Sequence, residues 1–226
     1  MNTADKIEEE IGEIAEALSV EEIANTITHG FGLALSVVGF VILLMLAIAN
    51  GDALYITASA IYGASLIILY AASTCYHGSR SPRIKNALHA ADYCGIYLLT
   101  AGTYTPFVLV ALRGSTLGWT LFVVVWTLAL SFIVLRVLLG ARFRVLWVVS
   151  YLLLGWMGVI AIQPLFAATG LGTVLLIMAG GAAYSIGVFF YASKKIPHAH
   201  AIWHVFVMAG SILHYLAVVL YVRPAA

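Results

Sequence analysis

Seven apolar stretches, at about 27–49, 54–76, 88–111, 116–138, 145–163, 171–192 and 200–222, alternate along the chain with short polar breaks. Each is close to the roughly 20 residues with which an α-helix crosses the hydrocarbon core of a bilayer. The breaks hold residues that turn or end helices: Asn50-Gly51-Asp52, Gly78 to Asn86, Arg113-Gly114, Gly140 to Arg144, Gln163-Pro164 through Gly172, and Lys194 to Pro197. Connections this short predict antiparallel neighbours. The pattern predicts an all-α fold, a seven-transmembrane helix bundle over residues 25–226, with no internal repeat.

Ahead of the first stretch the pattern changes. Over residues 5–24, Ile7, Ile11, Ile14 and Leu18 form one helical stripe, and Glu8, Glu9, Glu10, Glu13 and Glu16 cover much of the remaining surface. Residues 1–24 are therefore expected to form a short amphipathic cytosolic helix. Anionic lipid would repel its acidic face, so packing against the chain's own cytosolic loops is favoured over surface anchoring. Ser19 and Glu22 fit a capping box that starts a helix through Glu21, Glu22 and Asn25 into the membrane. The acidic start lacks the basic region and early cleavage site of a signal peptide, so the first span is expected to be retained.

Composition agrees with the pattern: 63% of the 226 residues are hydrophobic and 9% are charged, against about a quarter charged in soluble domains. A formal net charge of +1 gives no reason to expect nucleic acid as a partner; membrane lipids are expected instead. Cys75 and Cys94 lie in apolar stretches without CxxC spacing and are expected to be reduced. The basic residues set an orientation. With the N-terminus cytosolic, Lys6, Arg80, Arg83, Lys85, Arg136, Arg142, Arg144, Lys194 and Lys195 lie inside, and only Arg113 and Arg223 lie outside. That asymmetry predicts a cytosolic N-terminus and an outward C-terminus.

Ionisable groups within such spans are costly and point to function. In this topology His77 ends the second span on the cytosolic side, Asp92 begins the third, and His200 and His204 open the seventh. Four residues from three helices thus share one depth. His200 and His204, at i and i+4, project from one helical face, as two ligands of a single metal ion must, and Ser73 repeats that spacing before His77. Three neutral imidazoles with an open position have the composition of a catalytic zinc site, which lowers the pKa of bound water to about 7. Asp92 is then placed to accept a proton from that water, and Ser73 to hydrogen-bond the water or a substrate oxygen. The alternative is that each histidine is an ordinary interfacial or core residue. His89 and His198 are weaker candidates, near the basic turn and in a loop. His214 lies about 15 Å deeper than His204 and is expected to be a hydrogen-bonded core residue or a pocket wall. His29 is expected to hydrogen-bond Asn25, Glu21 or Glu22.

EEIANTITHGFG at 21–32, the run from Ser73 through Tyr76-His77 to Asp92-Tyr93, GTYTPF at 102–107 and HAIWHVFVMAGSILH at 200–214 together resemble the hemolysin III family. This is the bacterial branch of the progestin and adipoQ (adiponectin receptor-like) seven-helix membrane proteins. The likeness runs from Glu21 to Val222. It implies a multi-pass protein of the bacterial plasma membrane, zinc held by His77, His200 and His204, and supporting roles for Ser73 and Asp92. In receptor-type relatives and alkaline ceramidases the metal is associated with hydrolysis of a ceramide-like amide, whereas bacterial members carry a cytolysin name. Three functions are therefore carried forward: a zinc-dependent hydrolase of a lipid or amide, a membrane-state sensor or regulator with structural zinc, and a pore-forming cytolysin.

Overall fold

The computed structural model describes residues 7, 11, 12, 15, 20–193 and 195–224. Ile7, Ile11, Gly12 and Ala15 are helical, and residues 20–24 open the first long helix, Val20–Asn50; the other residues of the expected amphipathic segment, including Ser19 of its capping box, lie outside the described residues.

Eight α-helices make the seven spans: α1 (Val20–Asn50), α2 (Ala53–Gly78), α3 (Pro82–Pro106), α4 (Thr116–Leu139), α5 (Arg144–Trp156) with α6 (Ile162–Thr169), α7 (Leu171–Ala192) and α8 (Ala199–Tyr221). All seven are long and apolar enough to cross a membrane. Their outward faces carry Val38, Leu138, Val145 and Leu153, an apolar surface that only lipid solvates well. This is a multi-pass integral membrane protein. Neighbour contacts run α1 to α2, α2 to α3, α3 to α4, α4 to α5, α5 to α7, α7 to α8 and α8 back to α1, closing a ring of spans.

Besides the first, whose helix starts at Val20, two spans run well past their apolar stretches. The third begins at Pro82, not near residue 88. Proline at a helix start loses no intrahelical bond, and the polar turn Arg83–Asn86 remains helical where it leaves the hydrocarbon. The fifth continues through Gln163-Pro164 to Thr169 and stops only at Gly170, whose φ of 83° suits glycine. A tight 3₁₀ segment, Met157–Ala161, breaks the ladder just before Pro164, so the proline falls in the first turn of α6. Tyr104 serves this break: its hydroxyl accepts from the Gly158 N–H at 2.6 Å and lies 2.9 Å and 2.8 Å from the Leu154 and Gly155 carbonyls.

Pro106 ends α3 in a wider π turn, Phe107–Ala111, in which Phe107, Val108, Leu109 and Val110 are buried. Pro106 has no N–H to bond back along α3, and the wider turn after it is closed by the Leu112 N–H donating to the Phe107 carbonyl at 3.0 Å. Gly118 lets α4 approach this turn: a Cβ there would lie 2.7 Å from the Val108 carbonyl oxygen, a backbone atom that cannot swing away. On the opposite side of the protein from the histidines, Asp52 caps α2 by accepting from the Tyr55 N–H at 2.8 Å. It also pairs with Arg113 at 2.6 Å, which holds its carboxyl below the ordinary value.

The odd number of spans places the two chain ends on opposite sides, and the basic asymmetry sets the direction. A periplasm-dependent reporter fused after Ala226 should therefore be active and a cytosol-dependent one inactive. The reverse result would put the histidine end of the bundle outside.

Candidate metal centre

Helix ends build the site. The start of α1, the end of α2, the start of α3 and the start of α8 meet at one face of the ring, as alternating chain direction requires. His77, His200 and His204 each offer a ring nitrogen, and these atoms lie within 4.8 Å of one another. The ring centroids are 5.1 Å apart for His77 and His200, 5.0 Å for His77 and His204, and 4.6 Å for His200 and His204. His77 and His204 are buried and His200 is half-buried. Such a triad could hold one metal ion.

Its hydrogen bonds prepare it for that. His77 Nδ1–H donates to Glu22 Oε2 at 2.6 Å, and Glu22 Oε1 accepts from Lys85 Nζ at 2.7 Å. His77 Nε2 is left buried without a hydrogen-bond partner, a costly condition for a polar atom unless a ligand takes the lone pair. His204 follows the same logic. The Thr28 hydroxyl donates to the Ala24 or Asn25 carbonyl, each at 2.9 Å, so it accepts from His204 Nδ1–H at 3.1 Å. Both rings are thereby held in the tautomer that leaves Nε2 free to bind metal, with a carboxylate or hydroxyl behind each. The donor set, three imidazoles, suits a first-row transition metal of the zinc, copper, iron or nickel kind.

Ser73 is buried one turn before His77, and its Oγ makes no hydrogen bond of good geometry, although it faces Asp92. Asp92, half-buried, lies on α3 across from it. Both line a cavity of about 540 Å³ that begins at the histidines and continues inward past Leu99, Thr103 and Trp156 to Tyr184 and His214. Every span except α4 contributes to its wall. Deep in the ring, Tyr70 donates to Ser211 at 2.8 Å and Tyr184 lies 2.9 Å from the same hydroxyl.

The remaining histidines sort clearly. His214 Nδ1–H donates to the Gly210 carbonyl at 2.8 Å and its ring lines the cavity, as expected of a core residue and wall. His198 is exposed and left-handed, with φ 54°, and stays out of the cluster. His89 lies on α3 between the rings of Tyr76 and Tyr93, at 5.2 Å and 4.7 Å, and lines the cavity, so it is not a solvated turn residue. The hydrogen bonds expected of His29 do not form: neither ring nitrogen has a partner, and the ring stacks on His204 at 3.5 Å between centroids. Glu22 instead turns to His77, because rotation of α1 aims its first turns at α2. Cys75 is exposed and Cys94 half-buried, both free and outside the triad.

Sequence reasoning missed Glu22, Thr28 and Lys85 as partners of the site. A signal existed, since Glu22, Asn25 and His29 recur at i, i+3 and i+7 and so share a face of α1. Glu22→Gln should weaken metal binding by about 10–100-fold, the usual cost of losing a carboxylate behind a ligating imidazole. Competition against a chelator measures it, and unchanged affinity would remove Glu22 from the site's support.

Comparison with known proteins follows the same residues. The pattern of the family described as "Haemolysin-III related" matches residues 18–215. The chain is 44% identical over 207 residues to "Hemolysin-3" of Bacillus cereus, covering 91% of this chain and 94% of that protein. It is 46% identical over 202 residues to "Hemolysin-3 homolog" of Bacillus subtilis (strain 168), covering 89% and 94%. A more distant relative is the human "Monocyte to macrophage differentiation factor", 28% identical over 207 residues, with 88% and 83% covered. A match that spans both the glutamate end of α1 and the histidines of α8 places the chain in the haemolysin-III family.

Proposed function

We propose that this protein is a zinc-dependent hydrolase of a lipid or amide substrate, acting within the membrane near its cytosolic surface. The observation that carries this reading is the opening of the three-imidazole cluster directly into a cavity of about 540 Å³ whose wall also bears Asp92 and Ser73. A structural metal needs no such space, whereas the acyl chain of an amphiphile does.

His77, His200 and His204 would hold the ion. Bound there, zinc supplies Lewis acidity toward a carbonyl and makes water more acidic. Glu22 and Thr28 fix the tautomers of His77 and His204, and Lys85 holds Glu22 in place. Asp92 takes the proton from the attacking water and returns it to the leaving group, and the Ser73 hydroxyl orients water or the substrate oxygen. The apolar wall seats the chain and excludes bulk water from the reacting bond.

A second reading, a regulator in which zinc clamps the ends of helices, draws on the way the site joins α1, α2 and α8. Some relatives are named for haemolysis; under the hydrolase reading such lysis would follow indirectly, from overexpression or from lipid products. The test is metal analysis of the purified protein, followed by turnover of a ceramide-like amide with and without chelator. Stoichiometric zinc with chelator-sensitive turnover is expected. Zinc without turnover on any amphiphilic amide or ester would favour the regulator.

A further inference from the structure

Beside the histidines lies a second recess, of about 270 Å³, that the proposed reaction does not use. Arg136, three residues from the end of α4, and Arg144, the first residue of α5, both line it. Arg136 is 2% exposed and its Nε has no hydrogen-bond partner. Its guanidinium carbon sits 4.4 Å from the centre of the Tyr93 ring and 5.7 Å from that of Trp147. Arg144 Nη2 donates to the Tyr191 carbonyl at 2.9 Å, with the guanidinium 4.7 Å from the Tyr191 ring centre. Among the described residues neither arginine forms an ion pair.

A buried guanidinium offset only by ring faces is incompletely compensated, because cation–π attraction is small beside the cost of removing a charge from water. Arg136, with the exposed Arg144 lining the same recess, forms a site for an anion. A carboxylate has two oxygens, which a single arginine fork saturates; two guanidiniums approaching from different helices suit the additional oxygens of phosphate. The recess also shares His89, Tyr93, Tyr191 and His200 with the main cavity. A ligand with phosphate in one and a hydrocarbon chain in the other would bridge the two.

We propose that Arg136 and Arg144 bind the phosphate of a lipid headgroup, with its chain in the apolar cavity. The lipid is a single-chain or similarly slender phospholipid of the inner leaflet, where anionic lipids are enriched. Binding stands on the arginine recess alone. Only the further step, that this lipid is the substrate, rests on the hydrolase reading.

The experiment measures binding to the full-length protein in nonionic micelles, using lysophosphatidate, a monoacylglycerol with the same chain, and inorganic phosphate. Lysophosphatidate should bind at least about tenfold more tightly than monoacylglycerol, the scale of one charge-assisted hydrogen bond. R144Q, on an exposed side chain, and R136M, which keeps apolar volume in the buried position, should each remove most of that preference. Chelating the metal should leave it intact. Equal affinity for the two lipids would overturn the proposal, as would a wild-type preference in R144Q. Loss of the preference on chelation would also overturn it, by placing the phosphate on the metal. Inorganic phosphate binding as tightly as lysophosphatidate would overturn the lipid assignment in favour of a soluble anion. Should R136M fail to fold, R144Q decides the matter. Absence of turnover with the preference retained would sink the hydrolase reading and leave this one standing.

Discussion

Asp92→Asn is expected to reduce turnover by about 100-fold or more while the metal remains bound. Asparagine matches aspartate in size and keeps an oxygen acceptor, so α3 and the cavity wall should be undisturbed. What is lost is the capacity to take a proton. Asp92 is also the carboxylate that faces Ser73 across the cavity, whereas Glu22 is already committed to His77 and Lys85. The two carboxylates therefore have separable effects: loss of Glu22 should show in metal affinity, loss of Asp92 in kcat. If zinc instead only clamps helices, Asp92→Asn changes stability alone, since there is no turnover to lose. A zinc-loaded Asp92→Asn protein with undiminished turnover would remove Asp92 from the mechanism.

His200→Ala should abolish stoichiometric zinc. A tetrahedral catalytic site takes three protein ligands, and two imidazoles from different helices hold the ion far less firmly. His200 is the best position for the test because it is half-buried, so truncation opens little cavity in the fold; the buried His77 and His204 would confound metal loss with lost packing. The same logic gives the effect of chelation. A ligand present at 100 times its Kd stabilises by about 2.7 kcal/mol, which for a chain of this size corresponds to a fall in Tm of roughly 5–10 °C when the metal is removed. Zinc analysis and thermal melts in detergent measure both. Stoichiometric zinc in His200→Ala would show the ligand assignment to be wrong.

Much of this site was readable before any helix was placed beside another. His77, Asp92, His200 and His204 fall at one depth because alternating spans return to the same membrane face every second crossing, and that alternation follows from counting. The i, i+4 spacing of His200 and His204 is likewise a local property of one helix. His29 shows where such reasoning stops. Its depth was legible, but its partner was not: it stacks on His204 and makes no bond to its own helix's Asn25 or Glu22. Arg136 shows the same limit. As one of the basic residues of a cytosolic break it reports topology, and nothing local indicates that its guanidinium turns inward beneath Tyr93.

The bilayer acts on each segment separately, and what it imposes can be read residue by residue: seven apolar lengths matched to a fixed thickness, their alternating direction, and the level at which each polar residue sits. These depend on composition and on 1.5 Å of rise per residue. How far each helix is rotated about its own axis, and which helices touch, depends on contacts between segments that no single segment specifies. Lipid tails solvate an apolar face as well as another helix does, so the hydrophobic pattern that orients helices in water is weak here, and close packing takes over. That packing brought Glu22 and Lys85 to His77, set Thr28 behind His204, left α4 outside the cavity wall, and turned Arg136 and Arg144 toward one recess.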